Sequence, residues 1–439
     1  MSLIAEPNAE IGEETPVAPA SRKRKKRRDR RAFALLAMLG PGLIAAMAGD
    51  DAGGIATYAS VGADYGFTLL WALVLITVSL CLIQEMAGRM GAVTGKGFAE
   101  LVRERFGVRP TAFVMATLVI ANAGLVVSEF AGIGAAAELF GISRYVAVPP
   151  MAFLLWWLVT NGSYRRVEKA FLVLTLTFIA YPIAAFLGKP QWGDVGRQVV
   201  QPSFHLDANY LTLFIALVGT TITPYMQLYI QSAVAERGPN VDLNGAKLDA
   251  YTGSIVSDVI AAFIIIATGA TLFIVGAHVT TAADAARALE PLAGGYARIV
   301  FGLGLFGASM LAAGVLPLAT AYSVTEAFGF EKGVSRTFRE APIFLGLFTG
   351  LIAVGAGIAL IPGINVIKLL VSTQVINGLL LPVILVAILL LVNDREIMGR
   401  HINGRIYNAI AWVTVAAVVL LSTVYLIITI LGLVGVTIG

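Results

Sequence analysis

The sequence predicts an all-α membrane protein of about eleven transmembrane helices: two five-helix repeats of opposite orientation, followed by one more helix. Three observations carry this. Apolar runs of about 20 residues, the length that crosses a bilayer, recur along a chain of 439 residues that is 58% hydrophobic and only 13% charged. A soluble domain carries about twice that charge fraction, and the runs are uniformly apolar, whereas barrel strands alternate. Lys and Arg concentrate on alternate connecting segments. The first and sixth runs are both interrupted near their middles.

In chain order, residues 1–34 form a tail that begins acidic and proline-containing and carries the run RKRKKRRDRR at 22–31. Such a tail is expected to be disordered, with the basic run as a cytoplasmic flank that fixes orientation and touches anionic lipid. A nucleic-acid arm is the weaker reading of the same charges. The helix that follows lacks a cleavage pattern and is expected to be retained. The predicted spans are 35–61, 67–92, 110–137, 144–161, 167–187, 209–235, 250–277, 295–327, 342–361, 364–392 and 406–437. With the N-terminus inside, most Lys and Arg fall in cytoplasmic segments. The outer loops keep Arg144, Lys189, Arg197, Arg287 and Arg298, and Lys368 lies within a span near its outer end. That bias agrees with the positive-inside rule and puts the C-terminus outside. The breaks lie five spans apart, an odd number, so 35–187 and 209–392 form an inverted repeat, with 406–437 as the addition. The one cysteine, Cys81, rules out an intramolecular disulfide framework.

The break in span 1 reads Gly49-Asp50-Asp51-Ala52-Gly53-Gly54. A carboxylate at mid-bilayer costs about 2.5–3.5 kcal/mol on insertion scales, so Asp51 calls for a function. The flanking glycines loosen the backbone and free carbonyl oxygens. The break in span 6 reads Gly219 to Gln227, and Pro224 interrupts the helix there because it lacks an N–H and clashes with the preceding turn. An acid beside unwound backbone near the midplane suits a transported cation. Asp50 points away from Asp51 on a helix and is read as pathway or secondary. Asp258, mid-span, demands water, a cation or a partner. Glu129 either lines the route or pairs locally. Glu85 and Arg89 are spaced to pair with each other. Gln227 and Gln231 can offer amide oxygens to a hydrated ion.

Several stretches resemble the Nramp family of metal transporters: Gly40-Pro41-Gly42, Asp51-Ala52-Gly53-Gly54 in place of the family's DPGN, YGFTLLW from Tyr65, GAVTGKGFAELVRERFG from Gly91, and STQVINGLLLPVILVAILLLVNDREIMG from Ser372. The resemblance implies a LeuT-like fold. It implies a metal site at Asp51, Gly54 (where the family has Asn), the Thr220 carbonyl, Thr223 (where the family has Met) and Gln374. Tyr225 follows Pro224 where the family has histidine, and the second acid of span 3 falls near Gly132. DAGG with TPYMQ is similar to the Nramp-related magnesium transporters. Thr223 in place of methionine leaves an all-oxygen site, and Gly54 in place of asparagine leaves more room. If Met226 faces the ion instead, softer metals return.

The expectation is therefore a multi-pass inner-membrane carrier, monomeric, that imports Mg²⁺ and tolerates Mn²⁺ by alternating access, with the metal as substrate and no cofactor. The chain's three histidines, His205, His278 and His401, all lie outside the predicted membrane core, so proton coupling is not expected. The alternative within the family is a proton-coupled Mn²⁺/Fe²⁺ transporter. A LeuT-like amino-acid symporter is disfavoured because Asp51 would repel a substrate carboxylate. An intramembrane protease is disfavoured because HExxH and the paired-aspartate motifs are missing, so no enzyme activity is expected.

Overall fold

A computed structural model of the protein describes residues 49–161, 180–205, 207–235, 237, 242–290, 294, 297–333 and 336–433. The tail over 1–34, the first part of span 1 over 35–48, the first part of span 5 over 167–179 and the end of the last span over 434–437 lie outside the described residues. The described residues form α1 (Ala52–Tyr65), α2 (Leu70–Thr94), α3 (Phe98–Phe106), α4 (Val108–Leu139), α5 (Arg144–Asn161), α6 (Ala180–Leu187), α7 (Trp192–Val200) and α8 (Ala208–Thr221). They continue with α9 (Pro224–Ala235), α10 (Leu243–Thr271), α11 (Ala282–Arg287), α12 (Ala297–Phe328), α13 (Pro342–Ala359), α14 (Val366–Val392), α15 (Arg395–Met398) and α16 (Arg405–Leu433). No strand occurs among the described residues.

The capping residues set most boundaries. α10 starts at Leu243 and not near residue 250, because the Asp242 side chain accepts from Asn244 N and Gly245 N. Asn365 caps α14 by accepting from Lys368 N, and Gly95 ends α2 in the left-handed region with its N–H on Gly91 O. Pro224 stands at the first position of α9, where its missing N–H costs nothing. Eight helices among the described residues are long and apolar enough to cross a membrane, the pair α8–α9 counting as one. The short helices α3, α7 and α11 were not foreseen. α3 is legible in hindsight, since Phe98, Ala99, Leu101 and Val102 form one buried face.

The broken segments meet at the centre of the bundle. α1 is flanked by α10, α14, α8 and α4. Small residues permit the closest approach. A side chain at Gly219 would meet Gln374 O at 2.1 Å, and one at Gly378 would meet Ile215 O at 2.6 Å, so α8 and α14 touch backbone to backbone. α16 lies outside this arrangement, attached through Tyr407 Oη to Leu82 O at 3.0 Å and Ser422 Oγ to Gly378 O at 3.2 Å.

Polar clasps close both ends. At the end predicted to face the cytoplasm, buried Glu85 meets Arg89 at 3.2 Å, Lys247 at 3.3 Å and the Tyr407 hydroxyl at 2.8 Å. Arg89 also donates to His401 O and Asn403 Oδ1. Nearby, Gln231 of α9 donates to Lys96 O at 3.1 Å, and Glu326 of α12 accepts from Ser232 at 3.1 Å and from Lys332 at 2.8 Å. At the other end the Tyr65 hydroxyl donates to Asp207 Oδ1 at 2.6 Å and Asn209 donates to Asp64 at 3.0 Å, which ties the end of α1 to the start of α8. Burial pulls the Asp207 carboxyl up, but the hydrogen bonds from the Tyr65 hydroxyl and Tyr210 N outweigh it and hold the group below its ordinary value.

These contacts predict three outcomes. Gly378→Val should force α8 and α14 apart and lower thermal stability in detergent, by about 1–3 kcal/mol for overpacking. Gly346→Ala on α13, where an added carbon meets nothing within 4 Å, should leave the melting temperature unchanged or slightly higher. Asp207 has a depressed folded-state value, so its contribution to stability is complete above the ordinary aspartate value of about 3.9 and is lost as pH falls through the folded value. The melting-temperature gap between wild type and Asp207→Asn should be constant from about pH 5 to 8 and should close in more acidic buffer.

Candidate metal centre

Asp50 and Asp51 lie outside any helix, and Asp51, in an extended conformation, is the N-cap of α1. Asp51 is fully buried. Its Oδ1 accepts from Gly54 N at 2.5 Å and so takes up one of the unpaired N–H groups at the start of α1. Gln374 of α14 donates its Nε2 to both carboxylate oxygens, at 2.9 and 3.2 Å. Asn377, one turn along α14, donates to Gln374 Oε1 at 3.0 Å and fixes which way the amide faces. A second buried acid serves the same helix end: Glu129 of α4 accepts from Ala52 N at 3.2 Å and from Ser128 Oγ at 3.1 Å. Both carboxylates thus sit at the positive end of the α1 dipole.

Around Gly54 the predicted residues converge. A carbon added there would lie 2.8 Å from Thr220 Oγ1, 2.9 Å from Gly49 O and 3.3 Å from Asp51 Oδ1. The extra room expected at Gly54 is therefore not empty in this conformation; three oxygens, two from the span-1 break and one from α8, line it. Thr220 Oγ1 is buried and has no hydrogen-bond partner. Sequence reasoning assigned Thr220 its carbonyl only, and that oxygen accepts from Thr223 Oγ1 at 2.7 Å. Thr223 also donates to Gly219 O at 3.1 Å, so its hydroxyl faces the end of α8. Met226 lies over Gly49, where an added carbon would be 3.3 Å from its sulfur, and Gln84 Nε2 reaches that sulfur at 3.7 Å.

Three other predicted residues have separate placements. Tyr225 is fully buried, and its hydroxyl has no partner. Gln227 folds back on its own helix, its amide nitrogen donating to Thr223 O at 2.6 Å and Pro224 O at 2.9 Å. Asp258 is not at the Asp51 pocket; it lies on α10 beside Ser257, which donates to Asp50 Oδ2 at 2.9 Å. Asn377, the Gly49 carbonyl and the pair Tyr58–Thr221, 3.2 Å apart, went unrecognised in the sequence. Asn377 alone had a signal there, its i+3 spacing from Gln374 on one helix face.

Comparison with known proteins agrees with this architecture. A manganese transporter from Eremococcus coleocola, solved with an aromatic bis-isothiourea substituted compound, superposes with a TM-score of 0.70 at 19% identity, covering 93% of this chain and 88% of that one. Mhp1, a nucleobase-cation-symport-1 family transporter in a closed conformation with bromovinylhydantoin bound, gives 0.57 at 13% identity over 88% and 90% of the two chains. These likenesses establish the LeuT-like helical fold. In sequence, the divalent metal cation transporter MntH 1 of Pseudomonas aeruginosa is 30% identical over 397 residues, which is 86% of this chain and 88% of that protein. The family described as natural resistance-associated macrophage protein-like matches residues 42–429, a stretch that includes both helix breaks and Gln374. This multi-pass membrane protein therefore belongs to the Nramp family.

Proposed function

We propose that the chain carries divalent metal ions across the membrane by alternating access, with the ion held at the oxygens around Gly54. The observation that carries this is the convergence of Asp51 Oδ1, Gly49 O and the unpartnered Thr220 Oγ1 on one point, with no sulfur among the three. Relatives named as divalent metal cation transporters support the substrate class. A carboxylate, a carbonyl and a hydroxyl are hard donors, and a hard donor set suits Mg²⁺ that keeps part of its water, with Mn²⁺ also accepted. Binding requires Gln374 to turn its amide, so that Oε1 replaces Nε2 beside Asp51, and to leave its hydrogen bond with Asn377. The metal supplies the charge that Asp51 otherwise draws from N–H groups. The 35–187 and 209–392 repeats, which contribute one break each, are proposed as the bodies that move about the site.

Uptake without proton coupling is proposed on energetic grounds. A divalent ion moving inward through 100 mV gains about 4.6 kcal/mol, twice the value for one charge, enough for about thousandfold accumulation. His205, His278 and His401 all lie outside the membrane-crossing helices. A second reading, proton-coupled Mn²⁺ transport, is favoured by two placements: Glu129 is hydrogen-bonded to the residue next to Asp51, and Met226 sulfur is at the break.

Flux into proteoliposomes tests these points. Asp51→Ala should abolish Mg²⁺ and Mn²⁺ uptake, and uptake that survives intact removes the assigned site. Thr223→Met should move the preference toward Mn²⁺ and Cd²⁺ in metal-competition flux; an unchanged series means that Thr223 does not set selectivity. A pH-sensitive dye trapped inside should stay constant during metal uptake, whereas acidification in step with the metal would establish the coupled reading.

A further inference from the structure

α2, α8 and α16 do not close on one another along their whole length. Between them lies a cavity of about 510 Å³, within the range of pockets that bury small ligands, roughly 300–1,000 Å³. Its wall is apolar almost throughout, with Leu75 and Ile76 from α2, Phe214 and Val218 from α8, and Val418 and Leu420 from α16. It extends to Ile222, the residue that ends α8 at the bend into α9. All three helices are long and apolar enough to cross a membrane, α8 together with α9. Leu75 and Leu420 line the cavity and are also 60% and 66% exposed, so it opens between α2 and α16 onto the surface that meets hydrocarbon.

The buried polar groups of the wall are satisfied, with one exception. Ser79 and Thr414 are 3.0 Å apart, and each hydroxyl also bonds a carbonyl of its own helix. The Tyr210 hydroxyl donates to Ser203 O at 2.7 Å. The exception is Trp71. Its side chain is 8% exposed, its ring is held by Phe204 at 4.8 Å and Phe214 at 5.9 Å, and its Nε1 is buried without an acceptor. A buried N–H left unpaired is costly. An apolar space does not hold water stably, and the medium at its mouth is lipid.

We propose that this groove is a binding site for one acyl chain of a membrane phospholipid, with the ester carbonyl of that chain accepting from Trp71 Nε1. Trp71 is the second residue of α2, at the end predicted to face outside. That is the headgroup level, where tryptophan is favoured and where an ester lies. The chain then runs inward along α8 to Ile222. Ile222 directly precedes Thr223, so a seated chain rests against the bend between α8 and α9 without touching the oxygens around Gly54. The site is independent of which ion the protein carries.

Native mass spectrometry of the full-length protein in detergent, titrated with a diacyl phosphatidylethanolamine, tests this by counting and ranking bound lipids. Wild type should hold one lipid more tightly than the rest. Ala417→Phe, which puts a ring into the cavity from an exposed position on α16, should remove that lipid and leave the weaker ones. Trp71→Phe keeps the aromatic bulk and should weaken the tight lipid about fivefold, as for one lost hydrogen bond. The ether-linked analogue, which has no ester carbonyl, should bind wild type as weakly as the ester lipid binds Trp71→Phe. A wild type with no tight lipid, or an Ala417→Phe protein that holds it as well as wild type does, overturns the site. Ester and ether lipids that bind wild type equally overturn the contact at Trp71, and this comparison depends on no variant folding.

Discussion

The Asp51 carboxylate is fully buried, and the structure near the break is organised to satisfy it. The chain unwinds at Asp50–Asp51 so that α1 begins beneath the carboxylate and offers Gly54 N. An unbroken helix would have turned those N–H groups into its own ladder. α14 has to come close enough for Gln374 to reach both oxygens, and it can do so because α8 and α14 touch at Gly219 and Gly378. A bulky residue at either glycine would move the amide away from the acid as well as loosen the packing. Satisfying Asp51 and holding the bundle together therefore draw on the same close contacts.

Glu129 extends this arrangement to a third helix. Its bond to Ala52 N makes α4 a support for the start of α1, and Asn122 to Thr320 at 2.8 Å ties α4 in turn to α12. Any tilt of α1 relative to α4 has to break or carry along that bond. The clasps at the two ends differ in kind. One end depends on ion pairs around Glu85 and Glu326, and the other on tyrosine and asparagine contacts with Asp207 and Asp64.

Most of the fold was legible in the sequence, because apolar length and charge asymmetry report directly on how a chain lies in a bilayer. The breaks were legible too: glycines beside an acid, and a proline inside an apolar run, have few other physical uses. Pairings between helices were harder to read. Nothing local tells that Asp50 faces α10 while Asp51 faces α14, since the unwound backbone between them no longer obeys helical angles. The fold-back of Gln227 onto Thr223 and Pro224 depends on where α9 starts. Thr223 was weighed as a ligand by alignment, yet its hydroxyl reaches backbone carbonyls, a choice that only the bend between α8 and α9 offers.

Gln374 has one further consequence. A carrier that moves its ion without a partner must also make the return journey unloaded. A bare carboxylate crossing the hydrophobic middle alone would stall that half of the cycle. On the proposed uncoupled reading, the Gln374 amide and the first turn of α1 supply partial positive charge to Asp51, and the vacant carrier brings its own substitute for the cargo. On that reading, the side chain that turns aside for loading is the one that lets the protein go back for more.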